Sequence, residues 1–195
     1  MPNEIAISFA GPFSWFGASD APAVYGVDEV QQCGIYLWTV PLPEGYLTYY
    51  VGETGSSFDV RLRQHYKELV AARYHVYSAQ EFARGEKFCL WPGRYDPTNI
   101  KTDEECRDNC QRLTHPIQEM AGVLRFFLAS MSYDKRIRRR IEAAIAQPLY
   151  AASGIIGAFQ DKGIRYEPRV KAEQPILCVV RSASSLLGLP EGFLA

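Results

Sequence analysis

Two tyrosines, an arginine and a histidine lie close together in the stretch that spans residues 34–69: Tyr36, Tyr50, Arg61 and His65. A guanidinium can fork onto phosphate oxygens, and an imidazole changes its charge near neutral pH. A tyrosine hydroxyl can hold a water molecule or an oxygen atom by a hydrogen bond. Side chains of these types could surround one phosphate group if the elements that carry them meet.

The two tyrosines fall on a predicted β-hairpin. Residues 34–42 and 46–53, GIYLWTVPL and YLTYYVGE, are rich in β-branched and aromatic residues and flank a turn signal. They predict two strands joined by a loop of about five residues. If the hairpin centres on Pro43, Tyr36 lies opposite Tyr50. Cross-strand partners share one face of a sheet, so both hydroxyls would point into the same space.

The arginine and the histidine fall on a predicted helix. Residues 56–83 begin with Ser56 and Ser57, either of which is a plausible N-cap, and continue with spaced apolar residues. Arg61 and His65 are four residues apart, so they project from one side of this helix.

A later segment carries a candidate carboxylate. Residues 124–132, LRFFLASMS, predict a buried strand that leads to a helix cap at Ser132, and the following YDKRIRRRIEAAIAQPLY is an amphipathic helix that we expect to end at Pro148. Glu142 flanks its apolar stripe, a position that can look into a cleft or into water. The stripe consists of Ile137, Ile141, Ala144 and Ile145.

The rest of the first half is predicted to add to this core. Residues 5–15 predict a strand that joins a sheet edge, within a front extension that covers 1–33. Residues 72–121 predict an extended insertion with one short strand at 87–91. Short helices are expected around 103–113 and 115–123, because Pro116 restricts a continuous one.

The C-terminal extension, 151–195, contains a strand candidate at 175–181 and a short helix near 182–190. The 195 residues are long enough for one domain around a real core. We therefore predict an α+β fold in a single domain, a small mixed sheet with flanking helices.

Composition bounds the class of protein. Hydrophobic residues make up 47% and charged residues 22%, as in folded proteins, and no apolar run is long enough for a membrane span. The start lacks a basic leader, and the five cysteines are an odd number, which favours a cytoplasmic protein without a disulfide framework. Cys106, Cys110 and His115 could be zinc ligands, but two thiols one turn apart on a helix explain the pattern better.

Several of these residues together resemble the GIY-YIG nuclease family. The first motif is literal in Gly34-Ile35-Tyr36, and the second appears as Tyr50-Val51-Gly52. Arg61, His65 and the late Glu142 follow in the family's order, so the resemblance covers residues 34–69 and 122–150. One element departs from the pattern: many members carry an asparagine shortly after the glutamate, and no asparagine follows Asn109 here.

The resemblance implies a metal-dependent endonuclease acting on DNA, with RNA not excluded. Glu142 would bind one divalent cation, Mg²⁺ or else Mn²⁺, and Tyr36 would be the general base or would orient the water. Arg61 would bind the scissile phosphate, Tyr50 would hold a water or a phosphate oxygen, and His65 would relay a proton or bind phosphate. A tyrosine has an ordinary pKa near 10, so a nearby cation would have to lower it.

Further cations are candidates for contacts with the nucleic-acid backbone: Arg63, Lys135, Arg138 and Arg139. The run KRIRRR at 135–140 places five cations beside Glu142, although charged helix faces are often merely solvated. The net charge of −1 means that binding would depend on such local patches. Two other hypotheses stay open: a nucleic-acid-binding or interaction module that has lost turnover, and a small α/β enzyme with another substrate. The sequence leaves the oligomeric state open.

Overall fold

The computed structural model describes residues 3–96, 98–161 and 164–195. It has an α+β fold, which confirms the predicted fold class. The strands are β1 (Asn3–Phe13), β2 (Gly34–Leu42), β3 (Gly45–Thr54), β4 (Val76–Tyr77), β5 (Cys89–Trp91), β6 (Arg125–Ser130), β7 (Ile176–Ser182), β8 (Leu186–Leu187) and β9 (Gly192–Leu194). The helices are α1 (Phe58–Val70), α2 (Ala79–Phe82), α3 (Asp103–Val123), α4 (Lys135–Ala151) and α5 (Gly154–Phe159).

The main sheet has seven strands in the order β8-β3-β2-β6-β1-β7-β9, and β4 pairs with β5 in a separate small sheet. Strand β1 lies inside the main sheet, antiparallel to β6 and parallel to β7. The prediction that residues 5–15 join a sheet edge is therefore wrong. The reason is β7, a distant segment that supplies a second neighbour and buries Ile5, Ile7 and Phe9.

Strands β2 and β3 form the predicted hairpin in a different register. Tyr36 pairs with Gly52, and Trp38 pairs with Tyr50, so the predicted pairing of Tyr36 with Tyr50 is wrong by two residues. Leu42 pairs with Gly45, which makes the loop shorter than predicted. Since side chains alternate with a period of two, this shift leaves both tyrosines on the same face of the sheet.

Helix α1 begins where the sequence indicated, because the Ser57 side chain accepts a hydrogen bond from the Val60 N–H. It ends at Val70, so the prediction of a helix that continues to residue 83 is wrong. Ala72 has a φ of 54°, which breaks the helix, and its carbonyl accepts a hydrogen bond of 2.7 Å from the indole of Trp91.

Helix α3 is continuous through Pro116, so the prediction of two short helices is wrong. A capping box between Thr102 and Glu105 fixes its start. The proline forfeits one hydrogen bond, but the helix buries a long apolar face: Cys106, Leu113, Ile117, Met120 and Ala121.

The zinc alternative finds no support in the placement of its ligands. Cys106 is buried in the core, whereas the side chain of His115 is 81% exposed and pairs with Glu119. Among the described residues, no three histidine, cysteine, aspartate or glutamate side chains are grouped to hold a metal ion.

Helix α4 follows strand β6 as predicted, but its N-cap is Asp134 and not Ser132. It also continues past Pro148 to Ala151, because Leu149 is buried against the sheet. In the tail, the strand predicted at 175–181 is confirmed as β7. The predicted short helix near 182–190 is wrong, because this segment forms β8 and pairs with β3.

The main sheet is covered on both faces. Tyr36 and Trp38 point into one core, which α1 and α3 cover, and Ile35 and Leu37 point into the other, which α4 covers. Within the described part of the chain, none of the helices has the length and apolar character needed to cross a membrane.

Candidate active site

Tyr36 is the centre of a hydrogen-bonded cluster between β2 and α1. Its side chain is 0% exposed, and its hydroxyl lies 2.7 Å from His65 Nε2 and 3.1 Å from Arg61 Nε. The ring lies against the backbone of Gly52, where an added Cβ would be 2.4 Å from Tyr36 Cζ. Only glycine leaves room for the ring in this position. Gly52 of the second motif is therefore what allows Tyr36 of the first motif to pack there.

His65 extends the chain of hydrogen bonds from Tyr36 to Tyr74. Its Nδ1 lies 2.8 Å from the hydroxyl of Tyr74. Because Arg61 has only donors, the Tyr36 oxygen accepts from it, and the phenolic proton can go to His65 Nε2. In this assignment Nδ1 carries the histidine proton and donates to Tyr74. Burial, with a further effect of Arg61, lowers the pKa of His65 to about 3, so the ring is neutral.

Both tyrosines of the site are neutral phenols. Burial raises the pKa of Tyr36 well above its ordinary value, and Tyr50 adds to this, while Arg61 opposes it. The expected lowering of the Tyr36 pKa by Arg61 is present but smaller than the effect of burial. The ring of Tyr50 lies 5.9 Å from that of Tyr36 and, unlike Tyr36, lines an open cavity.

Glu142 reaches this cluster from α4. Burial raises its pKa to about 7, and the negative charge of Glu53 adds to the rise, while Arg139 and Arg61 oppose it. Burial raises the pKa of Tyr50, and the charge of Glu142 adds to this rise, while Tyr36 and Arg61 oppose it. The structure thus brings together the five residues predicted as catalytic, which come from β2, β3, α1 and α4.

Glu53, at the end of β3, is a residue of the site that sequence reasoning missed. Its carboxylate is held by Arg138, with 3.0 Å between Oε2 and Nε, and by Arg139, with 3.6 Å between Oε1 and Nε. The sequence feature that could have identified Glu53 is its position directly after Gly52 of the second motif. Tyr74 was also missed, and no sequence pattern marked it, because it lay in a segment predicted as helix.

The donor set of this region fits a hard cation. Carboxylate oxygens are what Mg²⁺ takes, and it binds through one or two of them with waters in the remaining positions. The mutual repulsion of Glu53 and Glu142 is what a positive ion would relieve. Glu142 is the better candidate ligand of the two, because arginines already neutralise Glu53, whereas the Glu142 carboxyl has a hydrogen bond from the Glu53 backbone.

Arg63 lies on a different side of α1 from Arg61. Its guanidinium binds Asp59 at 2.9 Å and sits 4.2 Å above the ring of Tyr25. Side chains two positions apart on a helix point in nearly opposite directions. Arg63 therefore points away from the cluster that Arg61 joins.

The predicted contacts on α4 have different environments. Lys135 is exposed in the first turn. Arg138 is only 8% exposed and donates to Glu53 and to the carbonyl of Tyr133. Arg139 is bound by Glu53 and by Glu167. Of these α4 cations, Lys135 and, in part, Arg139 face solvent.

A cavity of about 660 Å³ opens beside the cluster. Tyr50, Arg61 and His65 belong to its lining, whereas Tyr36 and Glu142 do not. We call the part of the lining that comes from the segment after α1 the far side, although its Tyr74 contacts His65 directly. The far side includes Arg73, Tyr74, His75, Arg94 and Tyr95.

Comparison with known proteins adds no relative: no family model matches the chain, and neither a curated protein nor a solved structure matches it. The chemistry of the site is therefore argued from its own side chains.

Proposed function

We propose that the protein is a metal-dependent endonuclease that hydrolyses phosphodiester bonds of DNA, as its resemblance to the GIY-YIG family implies. One observation carries the proposal. The hydrogen-bonded chain from Arg61 through Tyr36 to His65 lies within electrostatic range of Glu142, although the four residues come from three distant parts of the sequence.

Arg61 is the group that would meet the scissile phosphate. It lines the cavity, and its Nη1 is bound by Gln64 at 2.9 Å, which orients the guanidinium. Tyr36 and Tyr50 raise its pKa further, so it is a permanent cation. A guanidinium that is held in place next to the low-dielectric interior stabilises the negative charge that develops on phosphate oxygens.

The high pKa of Tyr36 favours a role in orienting water over a role as general base. Tyr50 lines the cavity and would hold the attacking water, and the ring of Tyr36 lies 5.9 Å from the ring of Tyr50. Tyr36 would orient Tyr50 and that water as a neutral phenol. Neutral His65, at 2.7 Å from the Tyr36 hydroxyl, would hold that hydroxyl in place.

A divalent cation on Glu142, Mg²⁺ or Mn²⁺, would supply Lewis-acid stabilisation of the phosphate oxygens. Glu142 must be ionised to bind it, and its pKa of about 7 means that this requires neutral or alkaline solution.

The test is cleavage of supercoiled plasmid with Mg²⁺ or Mn²⁺ at equal concentrations of folded protein. Wild type is expected to nick or linearise the plasmid, and Tyr36→Phe and Glu142→Ala are expected to abolish this. Glu119→Ala is the matched control, because Glu119 is exposed on α3 and should leave cleavage unchanged. Robust cleavage by both Tyr36→Phe and Glu142→Ala would refute the proposal.

A second candidate is a binding module without turnover. Complete burial of Tyr36 favours it, because its hydroxyl is held by His65 and Arg61 and no substrate touches it directly in this conformation. The absence of an asparagine after Asn109 favours it as well. It predicts DNA binding in a gel shift at low salt and no cleavage with any divalent metal, after which RNA would be tested.

A further inference from the structure

The cavity of about 660 Å³ has a far side that the proposed hydrolysis does not use. It begins beside Arg61 and extends to the segment 73–95, which the sequence marked only as an insertion. A recess next to a candidate phosphate site is where the nucleotide attached to that phosphate would lie.

The far side presents a fixed aromatic surface. The ring of Tyr74 is tied by its hydroxyl to His65, and the ring of Tyr95 lies 5.6 Å from it. Tyr95 is 59% exposed, so one ring of the pair faces solvent at the cavity. Stacking on an exposed aromatic side chain is the main way in which proteins hold unpaired bases.

Polar groups surround this aromatic surface. Arg73 and Arg94 both bind Asp103, at 3.3 Å and 2.9 Å, which fixes two guanidinium groups along the cavity wall. Glu68 and Asp161 add carboxyl groups to the lining. The wall therefore offers hydrogen-bond donors for phosphate and base oxygens and acceptors for the amino groups of bases.

The size of the recess selects against paired DNA. A volume of this kind lies in the roughly 300–1,000 Å³ range of pockets for small molecules. A nucleotide can enter it, whereas a base inside a duplex must first leave the stack, which costs least where the base is already unpaired.

We propose that this cavity binds one unpaired nucleotide of DNA, stacked on Tyr95 and Tyr74, with its phosphate at Arg61. The inference rests on the proposed function and names its substrate class: DNA with an unpaired nucleotide next to the bond that is cut.

The test measures binding without cleavage, in EDTA, by fluorescence anisotropy at one fixed salt concentration. Three labelled duplexes are compared: one fully paired, one with a single unpaired adenosine, and one with an abasic residue at the same bulge. The abasic duplex has the same backbone charge and the same number of unpaired residues, so its difference from the adenosine duplex reports the effect of the base. The adenosine bulge is expected to bind at least about fivefold more tightly, the low end for one stacked base.

Tyr95→Ala is expected to remove this preference for the base. Tyr133→Ala is the matched control, because Tyr133 is also an exposed tyrosine and lies before α4, outside the cavity lining. Arg94→Ala should weaken all three duplexes by a similar factor, as a phosphate contact does. Melting curves of each variant establish equal folding.

Equal affinity for the two bulges, or a preference that survives Tyr95→Ala, would overturn the inference. Plasmid cleavage without a base preference would leave the proposed nuclease in place and remove this site alone. A base preference without cleavage would keep the cavity site and argue for the binding module. Failure to bind any of the three duplexes would overturn the inference, while the proposed nuclease would still be judged by plasmid cleavage with Mg²⁺ or Mn²⁺.

Discussion

The substitution Gly52→Ala tests the packing that holds the candidate site together. A Cβ at this position would lie 2.4 Å from Tyr36 Cζ, 2.5 Å from Tyr36 Oη and 2.7 Å from Tyr50 Cε1. Ordinary contacts begin near 3.4 Å, so the Tyr36 ring would have to move by about 1 Å. The ring is completely buried, so it has no open space into which to move.

The expected cost has two parts. Overpacking of a filled core costs about 1–3 kcal/mol. A movement of this size would also stretch the hydrogen bonds of Tyr36 to His65 and Arg61, which are 2.7 Å and 3.1 Å long. Each contributes about 1 kcal/mol, so the total loss is about 3–5 kcal/mol. In a chain of this size, that lowers the melting temperature by on the order of 10 °C.

The assay is thermal unfolding followed by circular dichroism, together with urea unfolding for the free energy. Gly122→Ala is the control, because a Cβ there has nothing within 4 Å and the residue lies in helix α3. It should be neutral or slightly stabilising, since alanine has the better helix propensity. If Gly52→Ala melts within a degree or two of wild type, the ring moves freely and the reasoning is refuted.

Three further outcomes are expected. Tyr74→Phe should convert the single Nδ1–H tautomer of His65 into a mixture, seen as a change in its ¹⁵N shifts; unchanged shifts would contradict the assignment. The free energy of unfolding of Glu142→Gln relative to wild type should rise by up to about 3 kcal/mol between pH 4 and pH 8. The reason is that a folded-state pKa raised to about 7 makes wild type lose stability as pH rises, whereas glutamine does not titrate. A difference in unfolding free energy that urea unfolding shows to be independent of pH would contradict this. Arg138→Leu should cost up to about 3 kcal/mol, because the largely buried Glu53 would keep only its longer contact with Arg139, and adding Glu53→Gln should recover part of this loss.

The sequence predicted the hairpin, the start of α1 and the face shared by the two tyrosines. It could not predict the register, because the pairing of β2 and β3 shifts after Trp38 and the loop is shorter than the turn signal suggested. The prediction that Tyr36 and Tyr50 share one face of the sheet is correct despite this error, because a shift of two residues preserves the alternation of side chains. The relative placement of Tyr36 and Tyr50 was therefore more predictable than their exact partners.

Other errors have a tertiary cause. Pro116 and Pro148 stop a helix in isolation, but both lie within helices whose apolar faces are buried, and that burial outweighs one missing hydrogen bond. Tyr74 could not be found from the sequence, because its contact with His65 depends on the break at Ala72.

The arginines of α4 show why a run of charges is a weak guide to a binding surface. Arg136 and Arg140 bind the C-terminal segment through Glu173, and Arg138 is buried against Glu53. These side chains hold the tail and the carboxylate in place. The cations that line the cavity come from α1 and the segment after it, so under the proposed function a phosphate chain would lie along that wall and not along α4.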